Sequence, residues 1–339
     1  HPKKLSVPDA LFVFYDILII DDKTEKNLYI TARGETQNQE EAISDLEHEI
    51  KECSAYQRPE KHSALAPFTP NFTKEDYKNA IDKMISYIIE GDIYIANMTQ
   101  QLTIESQKSP YEVYRYLRTY NPSPFGGFFQ CNTFQVVCAS PERFLKVKDR
   151  CIETRPIKGT RKRGETPVED KILKEELKNS SKDRSELLMI VDLERNDLNH
   201  VCEPGSVKVT EHFAVETYST VFHLVTTIIG RLKEKLPTSD LIKAAFPGGS
   251  ITGAPKIRAM EIIDELEHDR RNLYTGSMGY FSFDGNCDFN IIIRTAVHQN
   301  SQYHLGVGGG ITCESDLEFE YEETLQKAKA LLEALWEEK

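Results

Sequence analysis

The 339-residue sequence predicts an α+β fold built on mainly antiparallel strands. Three observations carry this. Strand-like runs follow one another through tight turns, as in Phe281-Ser-Phe-Asp-Gly-Asn-Cys-Asp-Phe289, where parallel pairing would need a long crossover. Strands and helices alternate irregularly rather than in regular strand–helix–strand units. No G-x-G-x-x-G follows a strand and no Walker A sequence occurs, so nothing supports a dinucleotide or P-loop sheet.

The elements read in order as follows. A β-rich run at 11–20 turns at Asp21-Asp22-Lys23 into a second run at 27–32, and a polar helical pattern spans 38–52. Residues 53–72 are rich in Pro, Ser and Lys and read as an exposed connector. Residues 1–72 therefore form an N-terminal piece and 73–339 the main domain. Thr73, with Asp76 three residues on, marks a helix start. Ile81, Met84, Ile85 and Ile88 share that helix's apolar face, and Gly91 sits at its C-cap. Further strands are expected at 93–104, 133–139, 144–148, 207–210, 278–283, 289–297 and 304–307. Further helices are expected at 110–120, 168–178, 183–200, 239–245, 254–267 and 316–337.

Composition excludes several function classes. Hydrophobic residues are 39% and charged residues 28%, as in ordinary soluble domains. Mean hydropathy is −0.48 and no apolar run approaches a membrane span. The run Ile17 to Ile20 is too short for a signal h-region. With 42 basic against 54 acidic residues the net charge is −12, which argues against a nucleic-acid binder but leaves room for a local basic pocket. Seven scattered cysteines, with no C-x-x-C pair, read as reduced thiols of a cytoplasmic protein rather than a zinc or disulfide scaffold.

Four segments can carry chemistry. In Ser140-Pro-Glu-Arg143, a proline at a strand entry can hold Glu142 rigid and partly desolvated as a general acid, although such glutamates are more often surface turn residues. In Arg155-Pro-Ile-Lys-Gly-Thr160, Lys158 points into a tight turn and can be a nucleophile; turn lysines are common, and spacing alone favours that reading. Asp183 and Glu186 lie three apart on one predicted helix and Glu320 and Glu323 on another, so each pair shares a face. Facing each other they would make an oxygen-rich cage suited to Mg²⁺, yet such pairs also decorate solvated helices. The small-residue stretch from Phe246 to Lys256 suits either an anion, through Ser250, Thr252 and free amides, or close packing.

Together these segments resemble the chorismate-utilising enzymes, a family that includes anthranilate synthase component I, aminodeoxychorismate synthase component I, and the isochorismate and salicylate synthases. The matching text is Ser140-Pro-Glu-Arg, Arg155-Pro-Ile-Lys-Gly-Thr, the run from Leu188 to Leu198, Glu203-Pro-Gly-Ser, His223-Leu-Val, the run from Pro247 to Met260, Gly279-Tyr, Ile293-Arg-Thr, Gly308-Gly-Gly and Glu320-x-x-Glu-Thr324. These occur in family order over roughly residues 75–335. Lysine before Gly-Thr resembles the aminodeoxychorismate branch, whereas anthranilate and isochorismate synthases have alanine there. The water-activating lysine of isochorismate and salicylate synthases matches Ile95, which cannot act as a base.

The resemblance implies the family's fold, two large, mainly antiparallel sheets packed together with helices outside. It implies Mg²⁺ between Glu186 and Glu323, with Asp183 and Glu320 holding its waters. Glu142 would be the acid for the C4 hydroxyl and Lys158 a nucleophile at C2. Tyr280, Arg294, Lys327 and the Gly309 amide would contact substrate carboxylates, and His223 and Thr160 would line the ring. Ammonia is expected from a separate glutamine amidotransferase, since no Cys-His-Glu glutaminase set is visible here. His1–Ile20 resembles text well inside the family's N-terminal region, so a tryptophan pocket is not expected to be complete.

Overall fold

The computed structural model describes residues 4–218 and 221–338, in two compact units. Residues 8–60 make one unit. It contains the antiparallel hairpin of β1 (Ile17–Asp22) and β2 (Asn27–Ala32) and the helix α1 (Gln39–Glu52), capped by the Asn38 side chain. The strand expected at 11–20 starts only at Ile17, and Leu11 to Tyr15 are exposed and irregular.

The second unit holds residues 4–7 and everything from 61 onward. Its start at 61 differs from the boundary expected at 72. The stretch 61–72 is bound into the main unit: Ala66 N–H donates to the Leu332 carbonyl, Tyr116 OH to the His62 carbonyl, and β3 (Thr69–Pro70) pairs with β4 (Ile95–Glu105). Prolines and lysines there mark an irregular path, not a free linker.

Between those strands runs α2 (Lys74–Ile89), whose Thr73 side chain caps the Asp76 amide as the sequence predicts. Tyr77, Ile81 and Met84 are fully buried from this helix. Each such side chain contributes about 1.5–3 kcal/mol of burial, so this one face fixes the helix on the sheet.

Two seven-stranded antiparallel sheets follow. After α3 (Pro110–Tyr120), the chain adds β5 (Gly127–Gln130) and β6 (Gln135–Cys138) to the first sheet. It then crosses to the second sheet for β7 (Arg143–Lys148), β8 (Cys151–Arg155) and β9 (Ile157–Lys162). Two helices, α4 (Pro167–Asn179) and α5 (Ser181–Val201), precede β10 (Lys208–Thr217) and β11 (Val221–Arg231) of the same sheet. Next come α6 (Thr238–Ala245), a 3₁₀ turn (Gly249–Ile251), β12 (Gly253–Ala254) and α7 (Lys256–Leu266). Strands β13 (Gly279–Phe281) and β14 (Cys287–Asn290) close the second sheet; β15 (Thr295–Gln299) and β16 (Gln302–Ile311) complete the first, and α8 (Leu317–Leu335) packs on it. No helix among the described residues is long and apolar enough to cross a membrane.

The single strand expected at 289–297 is therefore two strands in different sheets. The chain crosses at residues 291–294, alongside the crossing at 139–142 that leads from β6 to β7. The two crossings satisfy each other's backbone groups, which would otherwise be buried without partners. Ala139 N–H donates to the Arg294 carbonyl, Ile291 N–H to the Glu142 carbonyl, and Ser140 Oγ to the Ile291 carbonyl at 2.6 Å.

Candidate active site

The cavity that holds nearly all the predicted residues has a volume of ≈ 290 Å³ and is walled by both sheets, α5 and α8. On β9, Lys158 faces Leu224 and Thr160 faces His223 of β11, leaving Gly159 unmatched in a bulge. Gly159 has φ +76°, and a Cβ there would stand 2.8 Å from the Asp183 carboxyl carbon, so only glycine fits. Lys158 reaches across to the first sheet, where a Cβ on Gly310 would lie 2.6 Å from Nζ and 3.4 Å from Ile95 Cδ1. The glycine run on β16 thus leaves space for an amine, and Ile95 sits beside it as an apolar neighbour.

Thr160 Oγ1 and His223 Nδ1 are 3.0 Å apart. Burial, reinforced by the nearby Arg294 charge, lowers the His223 pKa to about 4, so the imidazole is neutral at physiological pH. It serves as a polar wall and not as a cation.

Glu142 stands on the first crossing, its backbone N–H donating to Ser140 Oγ at 3.2 Å. It is 5% exposed. Burial raises its pKa to about 7 against the opposing pull of Ser250 and Lys158. A carboxyl poised near neutrality has both the proton and the driving force for general acid catalysis. Ser250 Oγ is buried near that carboxyl, close enough to favour its charged form, yet it makes no hydrogen bond of good geometry.

All four acidic residues line the cavity. A Cβ on Gly309 would stand 2.9 Å from Glu323 Oε2 and 3.1 Å from Glu320 Oε2, so both carboxylates lean over one bare stretch of backbone. Burial raises the Glu186 pKa, with Asp183 and Glu323 adding like-charge repulsion while Lys158 and Lys182 oppose. Burial also raises that of Glu320, which accepts from Ser315 Oγ at 2.7 Å. For Glu323 burial is outweighed by Lys327, whose Nζ lies 2.6 Å away, and its pKa falls below the usual value. Asp183 pairs with Arg161 at 3.1 Å.

Among the described residues no three potential ligands close on one point. The donor set nonetheless fits a hard divalent cation. All four donors are oxygens, and Mg²⁺ needs only one or two carboxylates because it keeps waters and binds substrate anions.

Arg294 sits on the second crossing with φ +51°, a conformation rare for a residue with a side chain. Its side chain is half-buried, and the partial burial disfavours its charge. Nη1 donates to the Lys327 carbonyl at 3.2 Å, and among the described residues no carboxylate lies within ion-pair distance. A half-buried guanidinium fork with donors to spare can accept an anion. Lys327 also lines the cavity, its Nζ donating to the Gly308 carbonyl at 2.8 Å.

Tyr280 does not belong to this set. It lies on edge strand β13, 60% exposed and outside the cavity lining. Tyr274, six residues earlier, is the tyrosine that lines the cavity, held with its ring over Gly306 of β16. Asn97, Arg161 and Lys182 also line it, and nothing in their spacing singled them out. The stretch 246–256 serves mainly for packing. Added Cβ atoms on Gly248, Gly249 and Gly253 would fall within 2.9 Å of Ile291, Leu193 or the Ile95 carbonyl, and Lys256 pairs with Asp197 at 2.7 Å. Of that stretch only Ser250 and Ile251 reach the cavity.

A family model described as chorismate binding enzyme matches residues 1–333. The chain belongs to that family. It is 40% identical over 336 residues to aminodeoxychorismate synthase component 1 of Bacillus subtilis, covering 98% of this chain and 72% of that protein. It is 39% identical over 345 residues to anthranilate synthase component 1 of Aquifex aeolicus, covering 99% and 70%. The crystal structure of anthranilate synthase component I from Streptococcus pneumoniae superposes with a TM-score of 0.84 at 31% identity, over 94% of this chain and 72% of that one. As a chorismate-binding family member the chain is a chorismate-utilising enzyme, and its α+β architecture of two antiparallel sheets with helices is the family's.

Proposed function

We propose that this chain is the aminating component I of an aminodeoxychorismate synthase, a cytoplasmic enzyme that converts chorismate and ammonia to 4-amino-4-deoxychorismate for 4-aminobenzoate and folate synthesis. The observation that carries the reading is Lys158, an amine set between the sheets opposite Gly310 and beside Ile95. An alanine in that place would leave no nucleophile, and a hydrophobic neighbour offers nothing to activate water.

Each residue then has a task. Arg294 and Lys327 receive a substrate carboxylate, with Tyr274, Thr160, His223 and the Gly309 amide around the ring. Glu186 and Glu323 would hold Mg²⁺, with Asp183 and Glu320 on its waters. Bound there, Mg²⁺ neutralises the ring carboxylate and makes the ring a better electron acceptor. Lys158 Nζ, as the free amine, forms a bond to C2 while the C4–O bond breaks and Glu142 gives its proton to the departing oxygen, which leaves as water. Ammonia then bonds to C4 and the C2–N bond breaks, returning the Lys158 amine with the enolpyruvyl group intact. The ammonia would come from glutamine through a separate amidotransferase subunit.

The alternative is anthranilate synthase component I, favoured by the near-equal identity to relatives of that name. Incubation with chorismate, Mg²⁺ and an ammonium salt, with and without an added aminodeoxychorismate lyase, separates the two. Product that becomes 4-aminobenzoate only with the lyase supports the proposal; anthranilate and pyruvate formed by the chain alone overturn it.

A further inference from the structure

Asn97 of β4 lines the cleft and has no task in the scheme above. Its backbone is pinned on both sides. The N–H donates to the Thr252 carbonyl at 2.7 Å, and the carbonyl accepts from Arg271 Nη2. Arg271 is itself bound to Glu267 at 2.6 Å and to the Ile251 carbonyl at 2.7 Å, so it ties β4 to the turn that carries Ser250. Asn97 is 8% exposed, yet its carboxamide makes no hydrogen bond with any described residue. A buried amide without a partner, on a backbone that cannot shift, is preorganised for a ligand. In the β4–β16 register Asn97 stands opposite Gly310, whose missing side chain leaves the space that Lys158 Nζ fills. Opposed residues of an antiparallel pair point to the same face with Cβ atoms about 4.5–5.5 Å apart, so the carboxamide is a neighbour of the amine. The rest of the cleft suits a small base poorly. Glu142, Glu186 and Glu323 are acids, Thr160 and His223 are engaged with each other at 3.0 Å, and Ile95 is apolar.

We propose that Asn97 binds the incoming ammonia, its Oδ1 accepting one N–H and holding the molecule beside Lys158. The proposal rests on the amination scheme given above. C2 and C4 are separated by one ring carbon, so the nitrogen that bonds to C4 has to rest beside the one that leaves C2. A carboxamide oxygen accepts a hydrogen bond without taking a proton, which keeps the ammonia lone pair free for carbon. A carboxylate in that place would favour ammonium, which has no lone pair to give. In the step itself the ammonia nitrogen bonds to C4, the two ring double bonds move back by one position, and the C2–N bond breaks. The extra proton on the new C4 amine passes to the departing Lys158 nitrogen. Asn97 neither gains nor loses a proton.

Wild type, Asn97→Ala and Asn97→Asp are assayed with Mg²⁺, chorismate and an ammonium salt at one pH, each substrate varied in turn. Asn97→Ala is expected to raise the KM for ammonia about three- to tenfold, as for one lost hydrogen bond, and to leave the KM for chorismate unchanged. In ammonia-free buffer, intact-protein mass spectrometry should show the adduct on Lys158 at equal yield in wild type and Asn97→Ala. Added ammonia should then discharge it about three- to tenfold more slowly from the variant. Asn97→Asp should form little adduct, since a carboxylate beside the amine keeps it protonated. A raised KM for chorismate with that for ammonia unaltered overturns the proposal, because Asn97 would then contact the ring substrate. So does a fall in kcat with both KM values unchanged, or an Asn97→Asp protein that forms adduct like the wild type. Failure of the underlying scheme shows separately. Anthranilate released by a wild type that forms no adduct removes the role of Lys158, while the ratio of ammonia KM values between Asn97→Ala and wild type still decides on Asn97.

Discussion

Lys158 and Gly310 stand opposite each other on different sheets, the amine occupying the space that any side chain on Gly310 would fill. This gives a test that leaves the lysine in place. Gly310→Ala should lower chorismate turnover by about 10²-fold, because a displacement of about 1 Å at a reacting atom is costly. The contact is with the flexible end of a side chain, so chemical denaturation should show a stability change within about 1 kcal/mol. Equal turnover in the variant would mean that the amine need not occupy this spot. Lys158→Ala should abolish amination in the same assay.

Glu142→Gln should reduce kcat by about 10²–10⁴-fold. In the wild type the acid form is required, and burial sets its pKa at about 7. Corrected for free ammonia, kcat should therefore decline as pH rises through about 7, and this alkaline limb should be lost in Glu142→Gln. An alkaline limb that persists unchanged in the variant would contradict the donor role.

Two carboxyls shielded from water, Glu142 and Glu194 of α5, predict how stability varies with pH. Both have folded-state values raised above the ordinary 4.5, to about 7 and about 8. The folded state then binds more protons than the unfolded one between those limits, so stability is greatest near pH 4.5 as far as these groups decide it. It is lost as pH climbs to about 8, by something on the order of 3–5 kcal/mol for Glu194 alone. Urea unfolding from pH 5 to 9 should show this decline, and Glu194→Gln should flatten it.

Tyr274→Phe and Tyr280→Phe distinguish the two candidate tyrosines. Loss of the Tyr274 hydroxyl should raise the chorismate KM or lower kcat several-fold, by about 1 kcal/mol for one lost hydrogen bond. The exposed Tyr280 should tolerate the change with kinetics unaltered. The reverse pattern would place the substrate outside the cavity.

Much of the site was legible because its chemistry sits on short contiguous motifs. Lys158, Glu142, Arg294 and both acidic pairs all line the predicted cleft. What linear reading could not give was which tyrosine turns inward, since the five residues between Tyr274 and Tyr280 carry no periodicity. Strand β11 was missed for another reason. Its run from Phe222 to Ile228 is buried throughout, so the alternation that marks a half-exposed strand is absent. Strands β8 and β9 were missed because charged residues interrupt them, and those charges turn toward the cleft or into ion pairs such as Arg161 with Asp183. The break at 291–294 was invisible because an apolar run through Ile291, Ile292 and Ile293 reads as one strand even where the chain changes sheets.

The paired crossings have an implication for how this enzyme loses and gains activity. The acid on one strap and the guanidinium on the other are spliced by backbone bonds from Ile291 to Glu142 and from Ala139 to Arg294. Neither layer can loosen without dragging both groups out of alignment. Partial opening of the molecule should therefore switch catalysis off outright instead of grading it, and no fragment carrying a single layer should show residual turnover.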